Sequence, residues 1–102
     1  MIHVIATIKL HAGKREAFLE AFHELMPQVH AEPGCIEYGP AVDVESGIPR
    51  QGELRANVAV ILEKWESLDH LKAHLAASHM GEYREKVKDL VDSVSLQILQ
   101  PA

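Results

Sequence analysis

Ile2 to Leu10 reads IHVIATIKL and alternates two sets of side chains. Ile2, Val4, Ala6 and Ile8 form one set; His3, Ile5, Thr7 and Lys9 form the other. Period-two alternation rich in β-branched residues predicts a strand whose faces meet different surroundings. HAGKR then turns the chain into a helix, where Phe18, Ala21, Phe22, Leu25 and Val29 recur at helical spacing as one apolar stripe. Pro27 lacks an amide proton and is expected to kink or end the regular part of that helix.

EPGC breaks the chain, and CIEYGPAVDV (35–44) predicts a second strand, bent around Gly39–Pro40. ESGIPRQGELRAN (45–57) is polar and rich in turn residues, the composition of a long hairpin loop. VAVILEKWE (58–66) predicts a third strand, with Val58, Val60 and Leu62 on one face and Ala59, Ile61, Glu63 and Trp65 on the other. Ser67 suits a helix N-cap and Asp69 the first turn, where the helix dipole favours negative charge. Leu68, Leu71 and Leu75 give a short apolar stripe; a second helical piece is expected from about Met80 to Leu90, with Tyr83, Val87 and Leu90 in line. SVSLQIL (93–99) predicts the closing strand.

The order β-α-β-β-α-β defines an α+β class, the ferredoxin-like arrangement, with one antiparallel sheet and both helices on one face. At 102 residues the chain is expected to be one domain, residues 1–102. Ile2, Val4, Ala6, Ile8, Val58, Val60 and Leu62 are expected on the uncovered face, where a monomer would expose a broad apolar surface. A second copy of the chain is the simplest cover, which predicts a homodimer, a dimeric α+β barrel.

A formal charge of −5 argues against a nucleic-acid surface and against docking on anionic membranes. No apolar run approaches the ~20 residues of a membrane span. The opening residues lack the basic start of a signal peptide, and Cys35 is the one cysteine, so a reducing cytoplasm is the expected location.

Within EKWESLDHLKAHLAASHM (63–80) a tryptophan stands close to three of the chain's seven histidines. His70 and His74 are four apart and share a side of a helix, a spacing that occurs in zinc sites. The position after His70 is Leu71 rather than the glutamate of the metalloprotease pattern, so no metal is expected. Acid–base use fits better, because an unperturbed histidine titrates near pH ~6.5. Cys35 has no basic neighbours in sequence and reads as a small buried residue. These residues are compatible with an enzyme or with a binding module, and the fold alone does not decide.

EKWESLDHLKAHLAASHM, preceded by EPGCIEY (32–38), resembles the antibiotic biosynthesis monooxygenase family, and within it the bacterial quinol monooxygenases that act on menadiol-like compounds. The likeness runs nearly end to end and includes the opening strand, P-G-C, W-E-S, H-L-x-A-H-L, H-M and the closing I-L-Q-P. It implies a homodimer with sheets packed face to face and a pocket in each subunit between sheet and helices. It further implies oxidation of a small aromatic substrate, a quinol or polycyclic phenol, by O₂ with no metal, flavin or haem. Carried over by position, Trp65 stands near the pocket floor, Tyr38 is a hydrogen-bonding or packing aromatic, and Tyr83 contacts the ring. Thr7 and Ile5 on the first strand are further candidate substrate contacts. His74 and His79 are candidates for base and hydroxyl anchor. Related haem-degrading enzymes use an Asn on the first strand and a Trp on the second helix, where this chain has Thr7 and His74; haem degradation is not expected. Two other functions remain open on the same fold: a non-catalytic dimeric barrel that binds a small aromatic, and an isomerase whose histidines move protons without O₂.

Overall fold

The computed structural model describes residues 1–102. Seven elements follow one another: β1 (Ile2–Leu10), α1 (Arg15–His30), β2 (Cys35–Ala41), β3 (Val58–Trp65), α2 (Leu68–Ala76), α3 (Ser78–Val87) and β4 (Val91–Leu99). The four strands form one antiparallel sheet in the order β2-β3-β1-β4, with the helices on one face. This is the ferredoxin-like arrangement, its second helical region broken at Ala77, whose extended backbone (φ −65°, ψ 143°) separates α2 from α3.

The α1 stripe is buried as its spacing requires: Phe18, Ala21, Phe22, Leu25 and Val29 all face the sheet. Pro27 neither ends nor interrupts the helix, which continues to His30. Pro27 and His23 are both exposed, so water reaches the carbonyl that the missing N–H leaves unpaired.

One expectation about the sheet is overturned. Ile2, Val4, Ala6 and Ile8 lie beneath the helices, not on the uncovered face. The register explains why: Ile2, Val4, Ala6 and Ile8 stand opposite Trp65, Glu63, Ile61 and Ala59, and directly paired residues share a face. The open face therefore carries His3, Ile5, Thr7 and Lys9 opposite Lys64, Leu62, Val60 and Val58. Its apolar part runs along β3 from Val58 through Val60 to Leu62, and Ile5 and Leu62 stay 38% and 44% exposed. The edge strand β4 also remains uncovered, with Val94, Leu96 and Ile98 exposed.

On β2 the register shifts between Cys35 and Glu37, a bulge that leaves Ile36 exposed while Cys35 and Tyr38 both turn toward the helices. The strand stops at Ala41, short of Val44. Pro40 is tolerated because β2 is an edge strand and needs no donor there. The loop that follows is closed at its base by a bidentate Arg55–Asp43 pair, at 2.8 and 2.9 Å, with the Arg55 amide also donating to Asp43 at 2.9 Å. These bonds hold the Asp43 carboxyl down at about 2.

Candidate active site

Two polar side chains are buried in the core, Glu63 and His74. Both follow from the local fold. Glu63 alternates onto the helix face of β3 between Ile61 and Trp65. Ser67 caps α2 by accepting from the His70 amide at 3.2 Å, and this fixes the helix phase. In that phase Leu71 and His74 turn inward while Leu68 and Leu75 remain exposed. The apolar stripe anticipated for this helix thus gives way to a histidine at the inner position.

His74 lies against Trp65, ring centroids 4.6 Å apart, and edge-on to Tyr38 at 5.3 Å. Trp65 Nε1–H donates to Glu63 Oε1 at 2.9 Å, and His74 Nε2 stands 4.0 Å from the same oxygen. His74 Nδ1–H donates to Glu32 Oε2 at 2.9 Å. The same Glu32 oxygen accepts from His79 Nε2–H at 2.8 Å. Glu32 lies in the turn between α1 and β2, so one carboxyl ties that turn to α2 and α3.

Burial pushes the Glu63 carboxyl up to about 7; the Trp65 hydrogen bond opposes this and the nearby Glu32 adds to it. Burial also lowers the pKa of His74, against the hydrogen bond and charge of Glu32, which favour the imidazolium. His74 is consequently a neutral imidazole held in one tautomer, beside a carboxyl able to carry a proton near neutral pH. Burial raises the Cys35 thiol and both tyrosines, Tyr38 and Tyr83, above their ordinary values. None of these three is an activated nucleophile or base.

The structure brings together Tyr38, Trp65, His74 and His79, but at different depths. Trp65 and His74 are 0% and 1% exposed, so the space between sheet and helices is filled by side chains at the level of Trp65. His79 is partly open and lines a groove of about 220 Å³ between α1 and α3, together with Leu25, Tyr83 and Lys86. Tyr83 joins the groove to the core through edge contacts of 6.2 Å to Phe18 and Phe22, and Phe22 stacks on Tyr38 at 5.1 Å. Thr7 and Ile5 are not part of this assembly; they lie on the other face of the sheet, paired with Val60 and Leu62.

His70 does not join His74 either. Its Nδ1 lies 2.7 Å from the Ser67 hydroxyl, and its ring packs against Gly34. No group of three or more His, Cys, Asp and Glu is arranged to hold a metal ion.

Glu63 and Glu32 escaped the sequence reading as site residues. Glu63 did carry a signal, being the one charge among Ala59, Ile61 and Trp65 on an inward face. Glu32 carried none, since its partners lie 42 and 47 residues further along the chain.

A ferredoxin-like α+β domain thus encloses a buried acid–histidine–aromatic cluster, a set of side chains capable of acid–base chemistry. The model of the antibiotic biosynthesis monooxygenase family matches residues 1–86. The chain is also 41% identical over 103 residues to "Probable quinol monooxygenase YgiN" of Escherichia coli strain K12, covering 99% of this chain and 98% of that protein. It therefore belongs to the antibiotic biosynthesis monooxygenase family. The fold is shared with a conserved protein from Methanosarcina mazei Go1 (TM-score 0.83, 22% identity, 99% of this chain and 92% of that one). It is shared too with Rv0793 from Mycobacterium tuberculosis (TM-score 0.80, 22% identity, 99% and 94%).

Proposed function

We propose that this protein is a cofactor-independent monooxygenase that oxidises a quinol or polycyclic phenol, menadiol-like in character, with O₂. In this reading it works as a homodimer in the cytoplasm. The observation that carries the reading is the Glu32-bridged histidine pair, one member of which lines a groove beside Tyr83. The family and the name of the 41% identical relative support the substrate class.

The chemistry asks for such a site. Ground-state O₂ is a triplet and reacts slowly with closed-shell organic molecules, but a quinolate is electron-rich enough to pass it an electron directly. A phenolic hydroxyl has a pKa near ~10, so only about a thousandth is ionised at neutral pH. The protein has to bind a flat ring, take the hydroxyl proton and limit water around the radical pair. A histidine held by a carboxylate serves the second need, and the aromatic and aliphatic groups around it serve the others.

An oxygen electrode with menadiol tests this, with uncatalysed autoxidation subtracted. The expected result is O₂ uptake above background that falls in His79→Ala or His74→Ala. Uptake equal to background at every enzyme concentration overturns the proposal and leaves the binding-module reading. Isomerisation of the substrate without O₂ uptake overturns it in favour of proton transfer alone. No helix is long and apolar enough to cross a membrane.

A further inference from the structure

Glu32 presents a single oxygen to two rings, and this determines what each ring has left. His74 uses Nδ1, so its remaining nitrogen, Nε2, stays in the core 4.0 Å from Glu63. His79 uses Nε2, so its remaining nitrogen is Nδ1, on a ring that lines the groove. A carboxylate oxygen accepts and does not donate, so each bonded nitrogen carries the proton and each remaining nitrogen holds a lone pair. His74 is 1% exposed, closed off by Trp65 and Tyr38, and cannot reach a substrate without the core opening.

We infer that His79 Nδ1 is the base that takes the substrate's hydroxyl proton, and that Glu32 is the positioning residue that fixes its tautomer, with His74 holding Glu32 from behind. This rests on the proposed phenol or quinol chemistry. In the step, the O–H bond of the bound hydroxyl breaks and its electron pair stays on oxygen as a phenolate. The proton bonds to His79 Nδ1, and the imidazolium formed keeps its Nε2–H on Glu32. The arrangement is that of a base oriented by a partly buried acid, where the acid holds the tautomer and stabilises the cation without taking the proton.

The groove also bounds the substrate. At about 220 Å³ it is smaller than the ~300–1,000 Å³ of pockets that engulf a ligand, so it admits the hydroxyl-bearing edge of a flat ring system. Glu24 and Lys86, ion-paired across α1 and α3, stand at this groove with Glu82. A ring with an additional carboxylate would meet two glutamates there, so a neutral quinol is the preferred class. The charged and titratable groups around the Glu32–His79 pair are His74 from α2, Glu63, Cys35 and Tyr38 from the sheet, Glu24 from α1, and Glu82, Tyr83 and Lys86 from α3.

The tautomer is readable by ¹⁵N NMR of ring-labelled histidine in the resting wild-type protein at alkaline pH. A protonated Nε2 and a bare Nδ1 at His79 support the inference; the opposite tautomer overturns it, whatever the substrate proves to be. In Glu32→Gln, folded by circular dichroism, menadiol-dependent O₂ uptake is expected to fall at least ~10-fold in kcat. Glu32→Asp, which keeps a carboxylate, is expected to restore part of the rate. A wild-type kcat in Glu32→Gln overturns the assignment. Absence of any menadiol turnover in the wild type counts against the proposed function, and the tautomer measurement still decides the geometry.

Discussion

His74 and His79 donate to the same oxygen of Glu32, at 2.9 and 2.8 Å, from helices on either side of the break at Ala77. The acid thus sets the relative placement of two helices as well as two rings. Removing it leaves the buried His74 Nδ1–H without an acceptor, which costs about 1–3 kcal/mol. Urea unfolding of Glu32→Ala should show that loss, whereas Glu32→Gln, which keeps an acceptor oxygen, should lose less. Equal midpoints for Glu32→Ala and wild type would show that water replaces the carboxylate at no cost.

Glu63 makes stability depend on pH in the direction opposite to an ordinary ion-paired acid. Its carboxyl titrates at about 7 when folded, against 4.5 as the ordinary value, so between these the folded protein holds a proton that the unfolded chain has released. Stability then falls as pH rises through that window, by about 3 kcal/mol in total, and levels off above it. His74 acts the other way: its folded pKa lies below 6.5, so its contribution grows as pH rises towards 6.5. Glu63→Gln should therefore match wild type near pH 5 and exceed it near pH 8, with urea midpoints at both pH values as the measurement. A constant gap between the two proteins would remove Glu63 as the source of the slope.

Gly34 precedes Cys35 at the start of β2 with φ +79°, a left-handed conformation that a β-carbon resists. A β-carbon there would also sit 2.3 Å from His70 Cγ. Gly34→Ala must displace the His70 ring from its place beside Ser67, and the combined backbone and steric cost is expected to be ~1–3 kcal/mol. The readout is thermal unfolding together with the His70 ring resonances. Unchanged values of both would mean that the β2 entry relaxes freely.

The elements were legible from the chain because each has one dominant period. β1 alternates strictly, α1 carries a five-member stripe at helical spacing, and Ser67 caps α2 as its position predicts. What the periods do not reveal is which face of one strand joins which face of the next. Val58, Val60 and Leu62 are all apolar, yet the buried face of β3 is the one containing Glu63, because Trp65 satisfies that carboxyl inside the core. The β2 bulge is equally invisible to a period: it turns Cys35 and Tyr38 to the same face and leaves Ile36 exposed. Of the site, the aromatics and the histidine pair could be named from the sequence. The acid that unites them could not, because only the folded chain carries the α1–β2 turn to the end of α2.

The register also sharpens the expectation of a dimer. With Val4 beneath the helices and Leu62 on the open face, charges at the two positions should have different consequences. Val4 is 2% exposed, and a lysine there places an unpaired charge in the core, so Val4→Lys should unfold the subunit whatever its assembly. Leu62 is 44% exposed in the single chain and stands opposite Ile5, so Leu62→Lys leaves the subunit core untouched. If the open face is where two copies meet, the new charges are buried at the interface and dissociation follows. Sedimentation should then give wild type at twice the 11.3 kDa chain mass and Leu62→Lys at the chain mass, with wild-type circular dichroism. A Leu62→Lys protein that stays dimeric would locate the contact elsewhere, and the exposed β4 residues Val94, Leu96 and Ile98 are the next surface to charge.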